Sequence, residues 1–287
     1  MDQLTALVSK ANSFIWGLYC LIPLLCGTGL YFTLRLNFVQ IRKFAMAFKY
    51  TFGQLTIFGE RAGKDGMSSF QALATAIAAQ VGTGNLAGAA TAIAMGGPGA
   101  IFWMWIAAFF GMATIFAEAV LAQVYKEKMP DGSVVGGPAY YISRGLKSNG
   151  LAVFFSVAII MALGFIGNMV QSNSIADAFN NAFGVNRLLI GVIVAAIGGF
   201  VFFGGMGRIA SITEKIVPIM AAGYLLGGLY ILVTHASHII PAFGMVFEGA
   251  FNPAAATGGL IGATMKEAIR YGVARGLFSN EAGMGST

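Results

Sequence analysis

The stretch Gln80-Val81-Gly82-Thr83-Gly84-Asn85 lies in the middle of an apolar run from 69 to 95. A run of this length can cross a bilayer as a helix, which takes about 20 residues. Each glycine inside a helix costs about 1 kcal/mol relative to alanine, and here two glycines flank a threonine and precede an asparagine. The stretch therefore predicts a membrane-spanning helix that is interrupted near its middle.

An interruption at this point leaves backbone polar groups without their helical partners. Inside a bilayer such groups are tolerated only where they are buried in protein or line a cavity. The half-helix that ends near Val81 presents carbonyl oxygens, which suit a monovalent cation, and the half-helix that begins near Asn85 presents N–H groups, which suit a carboxylate. One break can therefore hold a substrate carboxylate beside a coupling cation.

Close helix packing is the main alternative interpretation of the same run. Small residues four positions apart let two helices approach closely in a membrane, and the run contains Ala72, Ala76, Ala79, Gly84 and Gly88. The start of the glycine motif also resembles a dinucleotide-binding loop. Its third glycine comes one residue late and no strand precedes it, so this interpretation is disfavoured.

The composition of the chain sets the class of protein. Of the 287 residues, 57% are hydrophobic and 10% are charged, whereas about 25% are charged in an average soluble domain. This excludes a soluble globular enzyme, a disordered chain and a secreted disulfide scaffold, and it predicts an all-α polytopic membrane protein embedded in lipid. The net charge of +6 fits cationic loops, and the absence of a basic stripe with interleaved aromatic residues argues against nucleic-acid binding.

Seven runs are long and apolar enough to predict membrane spans. They cover residues 14–33, 69–95, 98–125, 151–174, 188–206, 212–233 and 258–276, the last being the least apolar. Residues 36–52 predict an amphipathic interfacial helix, residues 136–146 a short re-entrant or interfacial helix, and residues 241–253 an external connector. Twelve Lys and Arg residues fall on one side of the spans and two on the other. We therefore expect a multi-pass protein of the cell (inner) membrane with its N-terminus outside.

Polar residues inside other predicted spans are further candidates for function. Gly164, Asn168 and Gln171 share one face of the fourth span, where the two amides either join helices or contact a substrate. Glu118 lies in the third span near its cytoplasmic end, and it serves either a gate or ion pair, or a coupling-ion or proton site. Neither a metal-ligand spacing nor a nucleophile–base pair occurs, so we expect no enzyme.

The segment Met265–Thr287 combines charged residues with glycines that include Gly276, Gly283 and Gly285. This favours a second interrupted helix or a helix-to-loop transition, and paired interruptions are typical of inverted-repeat transporters. The chain stops in Met284-Gly285-Ser286-Thr287 without a polar tail. We expect from this that it is the N-terminal part of a longer protein.

Three motifs resemble a known family. They are Gly96–Ile106 (GGPGAIFWMWI), Gln80–Asn85 (QVGTGN) and Arg275–Ser286 (RGLFSNEAGMGS), which resemble the alanine or glycine:cation symporter family of sodium:alanine symporter type. The resemblance implies the leucine-transporter inverted-repeat fold with one extra N-terminal helix, truncated here after about seven spans, or roughly three fifths of a member. It also implies secondary active import of alanine or glycine by alternating access, coupled to Na⁺ or in some relatives to H⁺.

The same resemblance implies roles for individual residues. Thr83, Gly84 and Asn85 would meet the substrate carboxylate, and Gln80 and Gly82 belong to the same motif. Gln171 would contact the substrate from the facing helix, where Asn168 is a second candidate. Backbone carbonyls of Ala78 and Val81 would help to hold Na⁺, and Phe278, Ser279 and Asn280 would close the site. A channel or facilitator for small zwitterions and a non-transporting membrane receptor or assembly subunit are the alternatives.

Overall fold

A computed structural model of the protein describes residues 2–17, 19–52, 69–130, 134–251 and 265–286. In these residues the chain is helical apart from turns and a short antiparallel hairpin, in which Glu127–Lys128 pairs with Val134–Val135. The helices are α1 (Asp2–Ile15), α2 (Leu21–Arg35), α3 (Val39–Arg42), α4 (Phe44–Phe52), α5 (Ser69–Gln80), α6 (Thr83–Gly96), α7 (Gly99–Val124), α8 (Pro138–Gly145), α9 (Asn149–Ile159), α10 (Asn168–Phe183), α11 (Arg187–Phe202), α12 (Gly205–Thr234), α13 (Ala236–Phe251) and α14 (Met265–Asn280). A π-helical segment, Ile160–Gly167, joins α9 to α10.

Three helical stretches of the described part are long and apolar enough to cross a bilayer: Gly99–Val124, Asn149–Phe183 and Gly207–Thr234. Two shorter apolar helices, α2 and α11, accompany them. Large apolar side chains such as Phe154 and Leu226 are 70% and 66% exposed on these helices. Exposure of this kind is stable where lipid covers the surface, and the protein is a helical, multi-pass membrane protein.

The first predicted span needs correction. Residues 14–15 belong to α1, which ends at Ile15, and the apolar helix α2 begins only at Leu21. Trp16 lies in the turn between them, and its ring packs edge-on against Phe278 with centroids 6.3 Å apart. A tertiary aromatic contact at the turn accompanies a break that apolar composition does not indicate.

Other segments differ from their predicted limits. The interfacial segment 36–52 forms two short helices, α3 and α4, and residues 136–146 contain the helix α8 as expected. Residues 241–251 of the expected connector are helical, since α13 extends to Phe251 and buries Gly249 and Ala250. In the region of the seventh span α14 runs from 265 to 280, and residues 258–264 lie outside the described residues.

The helix α7 is the centre of the packing and contacts α2, α13 and α14. Its contact with α14 consists of small residues, because a Cβ on Gly276 would lie 3.1 Å from the Cβ of Ala107. The side chains of Val273 and Leu277 are also buried in this interface. Van der Waals packing of small residues is the usual means by which helices associate in a membrane.

Candidate functional site

The second predicted span is broken at its middle, as the glycines predict. The helix α5 ends at Gln80 and α6 begins at Thr83, while Gly82 has extended dihedral angles of φ −139° and ψ −163°. The side chain of Asn85 closes the new helix start, since its Oδ1 accepts a hydrogen bond of 3.0 Å from the Gly82 N–H. The Asn85 N–H in turn donates to the Gly82 carbonyl at 3.1 Å. The Asn85 side chain thus makes one half of a capping box, and the backbone carbonyl of Gly82 accepts the second bond because glycine has no side chain.

The break redirects the backbone groups of α5. The Val81 N–H still donates to the carbonyl of Ile77 at 2.8 Å. In a continuous helix the Gly82 N–H would bond the carbonyl of Ala78, but here it donates to Asn85. The carbonyls of Ala78 and Val81 therefore lie where the hydrogen-bond ladder of α5 stops, and the first N–H groups of α6 follow the break.

Packing and interruption coexist in this span. Gly88, Ala92 and Gly96 are buried on one face of α6, which packs against α14. A Cβ on Gly96 would lie 3.1 Å from the carbonyl oxygen of Glu267. In α5, by contrast, Ala72, Ala76 and Ala79 are exposed. The close-packing interpretation holds for α6, and the broken-helix interpretation holds at Gly82.

Two other helices bring side chains onto the break. A Cβ on Gly82 would lie 2.6 Å from Nε2 of Gln171, so the amide of Gln171, on α10, covers the glycine. A Cβ on Gly84 would lie 3.1 Å from the ring of Phe278, near the end of α14. The fold thus brings Gly82, Gly84, Gln171 and Phe278 together.

Asn168 is placed differently from Gln171. Its Nδ2 donates to the carbonyl of Gly164 at 3.0 Å, one turn back along the same helical stretch, and the residue is exposed. This carbonyl belongs to the π-helical segment, a geometry that often marks functional sites. In this structure the amide of Asn168 bonds its own helix.

The end of α14 carries the other predicted residues. Asn280 accepts a hydrogen bond of 3.1 Å from the Ala282 N–H through Oδ1, and its Nδ2 lies 3.0 Å from the Cβ position of Gly111. That Nδ2 is buried, and no hydrogen-bond partner for it occurs in the described part of the chain. Ser279, the residue before Asn280, is half-buried. Gln80, at the end of α5, is also half-buried.

Glu118 holds the turn that follows α14. Its two carboxylate oxygens accept hydrogen bonds from the backbone N–H groups of Gly283, at 3.1 Å, and Gly285, at 3.2 Å. Both glycines have positive φ, +85° and +71°, which side-chain-bearing residues adopt only with strain. The helix-to-loop transition predicted for this segment is present. The turn is bonded to the carboxylate of Glu118 on α7.

The sequence did not identify every residue around the break. Trp16 was assigned to a span without a role, yet its ring contacts Phe278. The polar link between α5 and α12 was also missed, although Gln71 Nε2 donates to Glu214 Oε2 at 2.9 Å and the hydroxyls of Thr75 and Thr213 are 3.3 Å apart. Polar residues spaced by four in an apolar helix were the available signal.

Donor chemistry at the break suits a hard monovalent cation. The described residues contain no group of three or more His, Cys, Asp or Glu side chains that could hold a metal ion. Carbonyl oxygens at the end of a half-helix are the ligands used for Na⁺ in broken-helix sites.

The chain is similar to known proteins over nearly all of its length. A family model described as the sodium:alanine symporter family matches residues 1–287. The chain is 49% identical over 285 residues to the sodium/alanine symporter AgcS of Methanococcus maripaludis, covering 98% of this chain and 61% of that protein. It is 43% identical to the probable sodium/glutamine symporter GlnT of Bacillus subtilis, covering 98% and 56%. It is 44% identical to the putative sodium/proton-dependent alanine carrier protein YrbD of Bacillus subtilis, covering 97% and 55%.

Proposed function

This chain belongs to the sodium:alanine symporter family, a family of transporters and not of enzymes, and from that premise we propose that the complete protein imports a small neutral amino acid. The chain spans 61% of the length of its AgcS relative and 55–56% of the two Bacillus relatives. We propose alanine or glycine as substrate and Na⁺ as coupling ion, with H⁺ as the other candidate. The observation that carries the proposal is the helix break at Gly82, covered by Gln171.

We propose that the break supplies a site for the substrate carboxylate and a site for the coupling cation. The first N–H groups of α6, at Thr83 and Gly84, lie at the positive end of a helix dipole and would receive the carboxylate. The carbonyls of Ala78 and Val81 would hold the cation at the negative end of α5. Gln171 adds an amide that can donate to the same carboxylate.

Substrate size follows from the side chains over the break. Gln171 covers Gly82 and Phe278 covers Gly84, both at near-contact distance from the missing Cβ positions. We propose that these two side chains leave space only for a substrate whose own side chain is a hydrogen atom or a methyl group. The relative named as a glutamine symporter indicates that this selection varies within the family.

The packing on either side of the break supports alternating access. The helix α5 is joined to α12 through the Gln71–Glu214 and Thr75–Thr213 contacts, whereas α6 packs on α14 and α7. The extended residue Gly82 stands between these two packing groups. We propose that it acts as the hinge where the inner half of the span moves relative to the outer half.

We propose an inverted-repeat fold of the leucine-transporter type with an additional N-terminal helix, placed in the inner membrane with the N-terminus outside. Support comes from the paired interruptions after α5 and after α14 and from the excess of Lys and Arg on one side of the spans. Reporter fusions after Lys147 and Asn186 would check the orientation. A cytoplasmic Asn186 fusion would contradict it.

The proposal is tested on the complete gene product in proteoliposomes. We expect Na⁺-dependent uptake and counterflow of radiolabelled alanine, reduced at least about tenfold by Asn85→Ala and by Thr83→Val. A charge-assisted hydrogen bond is worth about 1.5–3 kcal/mol, and about 1.4 kcal/mol is a factor of ten. The matched controls are Thr91→Val and Asn173→Ala. The Thr91 hydroxyl donates to the carbonyl of Ala87 in α6, and the Asn173 amide donates to the carboxylate of Asp177.

Several outcomes would contradict the proposal. Unchanged uptake in both site variants removes the break as the binding site. Equilibration without Na⁺ dependence or accumulation indicates a facilitator. Alanine binding without flux indicates a receptor.

A further inference from the structure

A cavity lies between α1 and α14, beside the ring of Phe278. It has a volume of about 200 Å³, and its walls include Asn12 and Trp16 of α1 and Arg270 and Arg275 of α14. This is smaller than the ~300–1,000 Å³ of pockets for drug-sized ligands. The cavity can therefore take only a small molecule. Its two charged residues, Arg270 and Arg275, have no role in the proposed site at the break.

The two arginines point to an anionic ligand. Arg270, Ala274 and Phe278 follow one another at four-residue intervals, so they share one face of α14. Both guanidinium-bearing residues are half-buried. In the described part of the chain the recorded ion pairs are Arg144–Glu127 and Arg187–Asp177, and neither cavity arginine takes part in one. The Arg270 guanidinium lies over the Tyr271 ring, with Cζ 5.4 Å from the ring centroid, and a bound anion would give both arginines an oppositely charged partner.

The cavity adjoins the helix break through Phe278. The ring lines the cavity and also covers Gly84, the second glycine of the motif. On the cavity side it meets the ring of Trp16 edge-on. The aliphatic stem of Arg275 lies against α6, with its Cδ 3.8 Å from the Cβ position of Gly88. One aromatic ring therefore separates the cationic cavity from the backbone groups at the break.

We propose that this cavity is a loading site for the α-carboxylate of the substrate. Arg275 binds the carboxylate in the two-pronged geometry that guanidinium groups favour, and Arg270 contributes a second positive charge. The amino acid then passes Phe278 to reach the first N–H groups of α6. The inference rests on the proposed function, because it names a step that precedes binding at the break.

The test compares initial rates of radiolabelled alanine uptake by the complete protein in proteoliposomes, at fixed Na⁺ and varied alanine concentration. We expect Arg275→Gln to raise the KM for alanine about tenfold while kcat changes by less than about twofold. Arg275→Lys keeps the positive charge but cannot form the two parallel hydrogen bonds of a guanidinium group, so it should raise the KM by a smaller factor. Arg270→Gln is a second, independent variant, and size-exclusion profiles show which variants are folded. Arg208→Gln is the control, since Arg208 bonds the carbonyl of Phe200 on neighbouring α11.

Three results would overturn the loading site. The first is an unchanged KM in folded Arg275→Gln and Arg270→Gln. The second is a fall in kcat at constant KM, which indicates a structural cation. The third is evidence that the cavity binds chloride instead of the substrate. In that case the KM of the wild type rises when external chloride is replaced by gluconate, and the arginine variants do not show this rise. Absence of Na⁺-dependent uptake by the unmodified protein contradicts the proposed function instead, and equilibrium binding of alanine to wild type and Arg275→Gln then tests the cavity alone.

Discussion

Glu118 Oε2 accepts a hydrogen bond from the backbone N–H of Gly283 at 3.1 Å, across 165 positions of sequence. With the second bond from Gly285, the carboxylate of α7 holds the turn that leaves α14. The two N–H groups converge on one anion, whereas the Met284 N–H between them donates to the carbonyl of Glu281 at 3.1 Å. The anion here is a side chain of the protein, so the turn after the second interruption is tied directly to the central helix.

Replacing Glu118 by glutamine should destabilise this turn. One carbonyl oxygen remains, so one of the two hydrogen bonds to the backbone is lost together with the negative charge. Each hydrogen bond to a charged group contributes about 1.5–3 kcal/mol. We expect a lower midpoint of thermal unfolding in detergent, whereas Glu248→Gln, at an exposed residue of α13, should leave the midpoint unchanged. Equal midpoints in both variants would show that the Glu118 bonds contribute nothing.

Substituting Gly82 by alanine should weaken substrate binding more than it weakens the fold. The extended φ of −139° accommodates alanine, but the new Cβ would displace the Gln171 amide, which lies 2.6 Å away. That amide belongs to a flexible, exposed side chain, so it can move at low cost to stability. We expect a raised KM for alanine uptake and a nearly unchanged melting temperature. Gly88→Ala makes only an ordinary contact at 3.8 Å, and a similar KM change in that variant would contradict the explanation.

The close approach of α14 to α7 predicts a steric limit at Gly272. A Cβ there would meet the carbonyl oxygen of Ala100 and would lie 2.8 Å from the Cβ of Trp103. Overpacking of this kind costs about 1–3 kcal/mol, so Gly272→Ala should lower the thermal midpoint. Gly228→Ala on α12 is the control, because its Cβ meets nothing within 4 Å and alanine improves helix propensity by about 1 kcal/mol. Destabilisation by the control alone would refute this packing.

Tyr141 of the short helix α8 should titrate at unusually high pH. Burial, and secondly the negative charge of Glu118, raise the pKa of its phenol to about 12. The folded protein then holds a proton that the unfolded chain releases near its ordinary pKa of about 10. Stability is therefore unaffected below about pH 10 and falls as the pH rises toward about 12. The difference in tyrosinate absorbance between wild type and Tyr141→Phe measures this, and a transition near pH 10 would contradict it.

Local chemistry explains which features could be predicted. The break at Gly82 follows from the low helix propensity of glycine, a property of the residue itself, and it appears where Gln80–Asn85 placed it. The apolar helix α7 matches its predicted span to within one residue at each end, since a long apolar run has few alternatives in a bilayer. Both features depend on neighbours within a few residues.

Features that depend on tertiary contacts were missed or misplaced. Residues 241–253 were expected to form an external connector, yet α13 is helical to Phe251 and packs on α7. Phe247 lies between Phe102 and Trp105, with ring centroids 5.7 Å and 6.3 Å away. Stabilisation of this kind compensates for the hydrogen bond that Pro241 removes from the helix.

By itself the sequence determined that the chain is a helical membrane protein, that one span is severed at Gly82, and that its motifs are those of a symporter family. Composition and glycine spacing suffice for the first two conclusions because each acts over a single helix, whereas the third rests on the resemblance of the motifs to a known family. Only the tertiary structure decided that Gln171 and Phe278 cover the break and that Glu118 holds Gly283. Those contacts join residues from 89 to 194 positions apart, and no local pattern encodes which distant helix face will meet another.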